Sequence, residues 1–489
     1  MQGEDKINQT ISKVLLTVDQ FKGSISSFRS AVAENEYSPS KSKHFSRVLL
    51  WKTLCILNTL NIYTWSKVLQ DSRQVFEELY KRKDLNIPWW KLRSDNIYYL
   101  TKEISRRESY RKTHRQGVRN GTNKVVLTRV NISETKDPLA SSNKLDDHEE
   151  TKNVELLETI IMDIERLFPG EKFYAFENPY SKQYKRDLIE VLYIWSKCNS
   201  NIGYKQGFHE IMGLIYMNLA KESVEVPSNS ELNKEDLSIL NIYDKEYLKH
   251  DIFAIFNKFM VQSHVVASFY DKEQKLMECI ETFNVNLMKV DQIIHYNLIS
   301  KVKLESQLWI IRYFRLLLLR ELGNDLETVS LFWDKLVAVQ AADVSTPLLI
   351  SFGIIVLLIK MKGDLIRCDF SESLGMLLHP PIDTLLKDST PEKFVQELFA
   401  NVMKLYSKKD DDFKLYEIGL KINNKWNNNL RIVMSPQKQE KPSSVARNSA
   451  EMFNAPEKGL SNTDKMAFEK FKFEQRLKKR VQEITSKSK

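Results

Sequence analysis

Residues 208–219 are apolar nearly all the way round a helix, and a helix of that kind has to be covered on every side. A second apolar run, 348–361, contains Ser351 and Gly353. It falls short of the roughly 18–20 residues that a bilayer span requires, so it too reads as a buried helix. Around these two, apolar residues recur at helical spacing. In 45–60 they are Val48, Leu49, Trp51, Leu54, Cys55 and Leu57; in 184–198 they are Leu188, Val191, Leu192 and Trp195. Further helical runs are expected at 65–80, 252–259, 265–283, 298–322, 329–339, 390–406 and 413–426. Strand-like alternation is almost absent. Only 14 Gly and 13 Pro are spread over 489 residues, too few for a many-turned β-sandwich. The expectation is an all-α, multi-helical fold.

Several stretches break this pattern. Residues 1–44 carry a helical stripe (Ile7, Ile11, Val14, Leu15, Val18, Phe21) and end near Ser38-Pro39-Ser40, which reads as an N-terminal extension packing locally or not at all. Residues 91–130 hold eleven Lys/Arg against three Asp/Glu. They read as a solvated helix over 98–113 with a basic loop after it, or as a patch for acidic lipid or an acidic partner. Residues 131–152 and 221–240 read as polar inserted loops, and the chain is expected to turn at 374–381. From 427 onward a polar linker leads to an amphipathic helix at 462–486, whose stripe is Phe473, Leu477, Val481 and Ile484.

The net charge of +9 is a modest basic excess. It suits acidic partners or anionic lipid and is too small for a dedicated nucleic-acid binder. Cys55, Cys198, Cys279 and Cys368 are far apart with no CxxC pair, which points to reduced thiols. The N-terminal MQGEDKINQT has no apolar core, so no signal peptide is expected.

The chemistry concentrates between Ile160 and Gln206. Asp163 and Arg166 are three apart, so on a helix they share a face and the carboxylate can hold the guanidinium. Pro169-Gly170 ends that short helix, leaving Arg166 at an edge from which a long side chain reaches outward. The polar turn 199–203 then runs into the helix beginning near Gly207. Gln206 therefore sits by a helix N-terminus with free backbone N–H groups. Gly203 and Gly207 allow close backbone approach, and the Tyr204 ring is placed to wedge the turn. His209 and Glu210 lack a second ligand pair at helical spacing, so a metal site is not expected.

An edge arginine and a turn-borne glutamine are the parts a small GTPase lacks when it hydrolyses GTP alone: one neutralises phosphoryl charge, the other orients water. Ile160-x-x-Asp163-x-x-Arg166 with Tyr204-x-Gln206 resembles the paired IxxDxxR and YxQ motifs of the TBC-domain Rab GTPase-activating proteins. Arg47-Val48-Leu49-Leu50-Trp51 resembles that family's opening RxxxW. Gln206–Ile211 resembles its QGM-polar-acidic run, and Arg320-Glu321 with Leu331-Phe332-Trp333-Asp334 its later R-E…LWD segment. Two positions depart from the pattern: Leu167 stands where threonine is common, and Phe208 where methionine is.

The resemblance implies a TBC-type domain over 45–426, built of two helical subdomains between flexible extensions. It implies Arg166 and Gln206 as catalytic fingers, Asp163 positioning the arginine, and Arg47 and Trp51 bracing the scaffold. The chain has no GxxxxGK[ST], so GTP and Mg²⁺ are expected on the partner, a Rab/Ypt GTPase in its GTP form. It further implies a cytoplasmic protein visiting Golgi or endosomal membranes, with peripheral contact to anionic lipid. The alternative is a helical scaffold that binds a Rab without catalysis.

Overall fold

The computed structural model describes residues 2–102, 143–227, 232–323, 325–340, 344–386, 389–428 and 430. Of the helix expected at 98–113, residues 98–101 are described and are not helical, and 103–113 lie outside the described residues, as do the expected helix at 462–486, the loop portion 131–142 and most of the basic stretch. Contacts divide the chain into two units, Met1–Ser407 and Lys408–Lys489. In the second, the described element is the helix Asp412–Trp426, capped by Asp411.

The first unit is all-α. Among the described residues its α-helices of six or more residues are α1 (Gln2–Gln20), α2 (Ile25–Ala33), α3 (Arg47–Lys52), α4 (Ile62–Lys81), α5 (Asn143–Glu165), α6 (Ser181–Cys198), α7 (Phe208–Glu222) and α8 (Lys234–Tyr243). There follow α9 (Leu248–Asn257), α10 (Glu273–Val290), α11 (Gln307–Arg315), α12 (Leu326–Val339), α13 (Thr346–Leu365), α14 (Phe370–Leu378) and α15 (Pro391–Tyr406). Among the described residues there is no β-strand, only the isolated bridge Val224–Asp244.

The two apolar runs form the two centres of the core. Residues 208–219 of α7 are all buried, because α3, α5, α6, α9 and α12 surround that helix. The 348–361 run lies in α13, whose first turn is set by the Ser345 cap and Pro347, and α10 and α15 cover it. Among the described residues no helix is long and apolar enough to cross a membrane.

Several expectations are corrected. The helix carrying Asp163 is not short: α5 begins at Asn143, inside the stretch read as loop. Within 221–240, α8 starts at Lys234, where Asn233 accepts from Asp236 N. Its Ile239 and Leu240 are buried, so packing against α4 overrides the polar look of the segment. The 265–283 run is interrupted at Lys272, which is extended, and α14 occupies most of the expected turn at 374–381 because Asp369 and Glu372 form a capping box.

The 298–322 run is also broken. Lys303, Leu317 and Leu318 adopt φ of 58°, 51° and 64°. The backbone at the last two is held by Trp333 Nε1, which donates to Leu317 O at 3.0 Å, and by a local turn in which Leu318 N donates to Tyr313 O at 3.0 Å. Finally, the N-terminal residues pack beyond their own segment. Arg29 donates to the carbonyls of Val337, Ala338 and Gln340 at the end of α12, and Lys335 of α12 donates back to Val32 and Ala33 at the end of α2.

Candidate functional site

α5 ends at Glu165, so Arg166 is the first residue past it and lies at the surface with 69% of its side chain exposed. Its Nη2 donates to Asp163 Oδ1 at 2.6 Å and its Nε to Met162 O at 3.2 Å, across the final turn. Asp163 itself is buried. Ile160, one turn earlier, is fully buried and anchors α5 in the core.

The chain then leaves the helix through Phe168 and Gly170 at φ of 44° and 96°. Tyr174 pins the loop to α7 by donating to Gly213 O at 2.7 Å. Leu167 packs directly over Gly213, where a Cβ would lie 2.8 Å from Leu167 Cδ2. The leucine in place of threonine thus contributes close packing of the end of α5 against α7.

The second part is the turn 199–207. Asn199 closes the end of α6 by donating from its side chain to Trp195 O at 2.8 Å, and Gly203 at φ 65° reverses the chain. Tyr204 points back to α5, its hydroxyl donating to Asp163 Oδ2 at 2.8 Å. Burial, with the Asp163 carboxylate beside it, raises the Tyr204 phenol above its ordinary value and keeps it a donor.

One carboxylate therefore joins the arginine-bearing helix end to the glutamine-bearing turn. Gln206 is exposed two residues after Tyr204. Gly207 at φ 102° starts α7, and a Cβ there would meet Leu316 Cδ2 at 2.8 Å, so only glycine fits without movement. Phe208, in place of methionine, fills an aromatic box with Trp195, Phe256 and Tyr270 at centroid distances of 5.3, 5.7 and 4.7 Å.

Beneath the turn, at the start of α7, lie His209 and Glu210. His209 Nδ1 is 3.0 Å from the Tyr204 hydroxyl and 3.6 Å from Asp163 Oδ2. With the tyrosine proton given to Asp163, the network assigns the imidazole proton to Nδ1. Burial lowers the His209 pKa and favours the neutral ring, against the pull of Asp163 and Glu210. Glu210 takes both Nε and Nη2 of Arg320, at 2.8 and 2.6 Å. The acidic residue in the run after Gln206, together with the Arg320-Glu321 pair, was the available signal for this ion pair. Among the described residues no group of three or more His, Cys, Asp or Glu is placed to hold a metal ion.

Arg47 and Trp51 lie away from the turn and meet at another acid. Arg47 Nε lies 3.0 Å from Asp334 Oδ2, its terminal nitrogens reach Glu327 at 2.7 and 3.1 Å, and Trp51 Nε1 donates to Asp334 Oδ1 at 2.6 Å. Glu222, at the end of α7, accepts from the backbone of Arg47 and Val48 at the start of α3. These contacts tie α3, α7 and α12 together. The four cysteines are free; Cys198 is exposed and the others are half-buried.

Residues 117–366 match the family model described as the Rab-GTPase-TBC domain. The human protein "TBC1 domain family member 5" is 25% identical over 250 residues, 46% of this chain and 30% of that protein. The Dictyostelium discoideum "TBC1 domain family member 5 homolog B" is 33% identical over 133 residues, 27% of this chain and 12% of that protein. The matches thus span less than a third of the relatives' own length. The crystal structure of the Ypt/Rab-GAP domain of Gyp1p superposes with a TM-score of 0.52 at 16% identity, covering 82% of this chain and 99% of that one, which shows a shared fold.

Proposed function

The chain belongs to the Rab-GTPase-TBC domain family, and on that premise we propose that it accelerates GTP hydrolysis by a Rab/Ypt small GTPase, supplying Arg166 and Gln206 in trans. The observation that carries this reading is the Asp163 carboxylate, which holds Arg166 on one oxygen and, through Tyr204, the Gln206 turn on the other.

Arg166 is itself largely exposed, so water takes up its guanidinium when it leaves Asp163, and the buried carboxylate keeps the Tyr204 hydroxyl as a donor. Swung into a nucleotide site that excludes water, the same guanidinium acts on phosphoryl charge where electrostatics are far stronger. Gln206, with one carboxamide donor and one acceptor side, orients the attacking water. Asp163 and Tyr204 position these two and move no proton. GTP and Mg²⁺ arrive on the partner in its GTP form. Family kinship further suggests action in vesicle traffic, from the cytoplasm onto Golgi or endosomal membranes.

The test is phosphate release from a panel of GTP-loaded Rab proteins with the full-length chain added. Stimulation of at least one of them is expected. Binding without stimulation of any would make the chain a Rab-binding scaffold instead.

A further inference from the structure

The contact between Arg320 and Glu210 repeats, on the other side of His209, the pattern of Arg166 on Asp163. In both, a carboxylate that is 7–8% exposed holds an arginine that is more than half exposed: 69% for Arg166 and 53% for Arg320. Among the described arginine ion pairs no other combines these values. Arg82 and Arg93 sit on exposed acids, whereas Arg47, Arg73, Arg186 and Arg312 are themselves largely covered.

The two buried acids are also neighbours, since Asp163 Oδ2 lies 3.6 Å from His209 Nδ1 and Glu210 Oε1 lies 3.9 Å from His209 Nε2. Both guanidinium groups therefore emerge on the surface around the Gln206 turn. Leu316, four residues before Arg320, packs against Gly207 of that turn. They differ in how they are held. Arg166 gives its carboxylate one nitrogen and can let go. Arg320 gives Glu210 both Nε and Nη2 and is fixed, with Nη1 and the outer side of Nη2 turned away from that carboxylate.

We propose that Arg320 is a docking residue that reads an acidic side chain on the surface of the GTPase, an inference that rests on the function proposed above. A locked guanidinium is suited to a fixed surface carboxylate, because little freedom is lost on contact. It is unsuited to reaching into a nucleotide pocket, which is the task of the releasable Arg166. Arg320 thus contributes to encounter and to the choice among GTPases.

The experiment measures stimulated hydrolysis over a range of GTPase concentrations with the full chain carrying Glu210→Gln and Arg320→Gln together, so that no buried charge is orphaned. KM for the GTPase is expected to rise by about tenfold with kcat within about twofold, and the gap to close as salt increases. Arg320→Lys, which keeps a cation beside Glu210 but lacks the outer edge, should raise KM in the same direction with Tm unchanged. GDP-loaded and GTP-loaded GTPase should lose affinity by the same factor. An unchanged KM in the folded variants overturns the proposal, as does a loss confined to the GTP form, which would make phosphate the ligand. Absence of stimulation by the unaltered chain would instead remove the function proposed above, and the binding measurement would still test Arg320.

Discussion

Tyr204 donates its hydroxyl to Asp163 across 2.8 Å, linking residues 41 apart in the chain. Removing that oxygen while keeping the ring isolates the link. Tyr204→Phe takes a donor from a buried carboxylate and should destabilise the protein by about 1.5–3 kcal/mol, the range for hydrogen bonds to charged groups. Because the Gln206 turn is then held less firmly, kcat should fall while KM for the GTPase changes little. Thermal melting and stimulated hydrolysis check both halves, and an unchanged Tm would show that the bond contributes nothing.

Two glycines frame the same turn, and they should respond differently. Gly203 has φ 65° and nothing within 4 Å of the position a methyl group would take, so Gly203→Ala meets only the left-handed backbone penalty of about 1–2 kcal/mol. Gly207 has φ 102° and Leu316 Cδ2 at 2.8 Å, so Gly207→Ala adds a clash and should cost more. In a Leu316→Ala background, where the clash is absent, Gly207→Ala should cost less than it does in the unaltered chain. Denaturant midpoints rank the variants, and equal effects at 203 and 207 would contradict the packing described.

The acid shared by Arg47 and Trp51 bears on stability and not on chemistry. Asp334→Ala leaves the buried Arg47 guanidinium with Glu327 as its remaining carboxylate and Trp51 Nε1 without its acceptor, and should cost up to about 3–5 kcal/mol. Asp84→Ala, which breaks the fully exposed pair with Arg82, should leave Tm unchanged. Activity per folded molecule should be normal in both, as measured after correcting for the unfolded fraction.

His209 predicts a pH dependence of known sign. Burial holds its folded-state pKa below the ordinary 6.5, so the unfolded chain binds the extra proton first as the pH falls. Its contribution to stability is therefore complete above pH 6.5 and is lost as the pH drops below it. The groups facing the ring are Asp163, Glu210, Tyr204, Arg320 and Arg166. The comparison of the unaltered chain with His209→Gln isolates the imidazole: the difference in Tm should shrink between pH 7.5 and pH 5 in favour of the variant. A constant difference would contradict the burial argument.

Much of the site was legible from spacing. Asp163 and Arg166 had to share a helix face, and the Pro169-Gly170 break had to leave Arg166 at an edge. The helix cores 208–219 and 348–361 were equally plain, since only burial suits helices apolar all round. What spacing could not show were contacts between distant segments. Nothing in the residue types of Leu317 and Leu318 asks for left-handed backbone, and the bond from Trp333 that holds Leu317 comes from the next helix. The polar surface of α8 hid Ile239 and Leu240, which α4 buries, and α5 began earlier than its acidic first turns suggested. The pairing of Glu210 with Arg320 spans 110 residues, beyond the reach of any helical period.

In the function proposed above, this chain lends a guanidinium and a carboxamide to a nucleotide held by another protein. The direct measurement is single-turnover phosphate release from a GTP-loaded Rab that the unaltered chain stimulates, repeated with Arg166→Ala and with Gln206→Ala. Gln206 is exposed, so Gln206→Ala should keep the unaltered Tm; Arg166→Ala takes a partner from the buried Asp163 carboxylate and should lower it, so stimulation is compared per folded molecule. Arg166→Ala should lose about 10³-fold or more of the stimulation, by comparison with the Ras system in which such an arginine is worth about 10³–10⁵. Gln206→Ala should also lose most of it. Full stimulation by both folded variants would contradict the account.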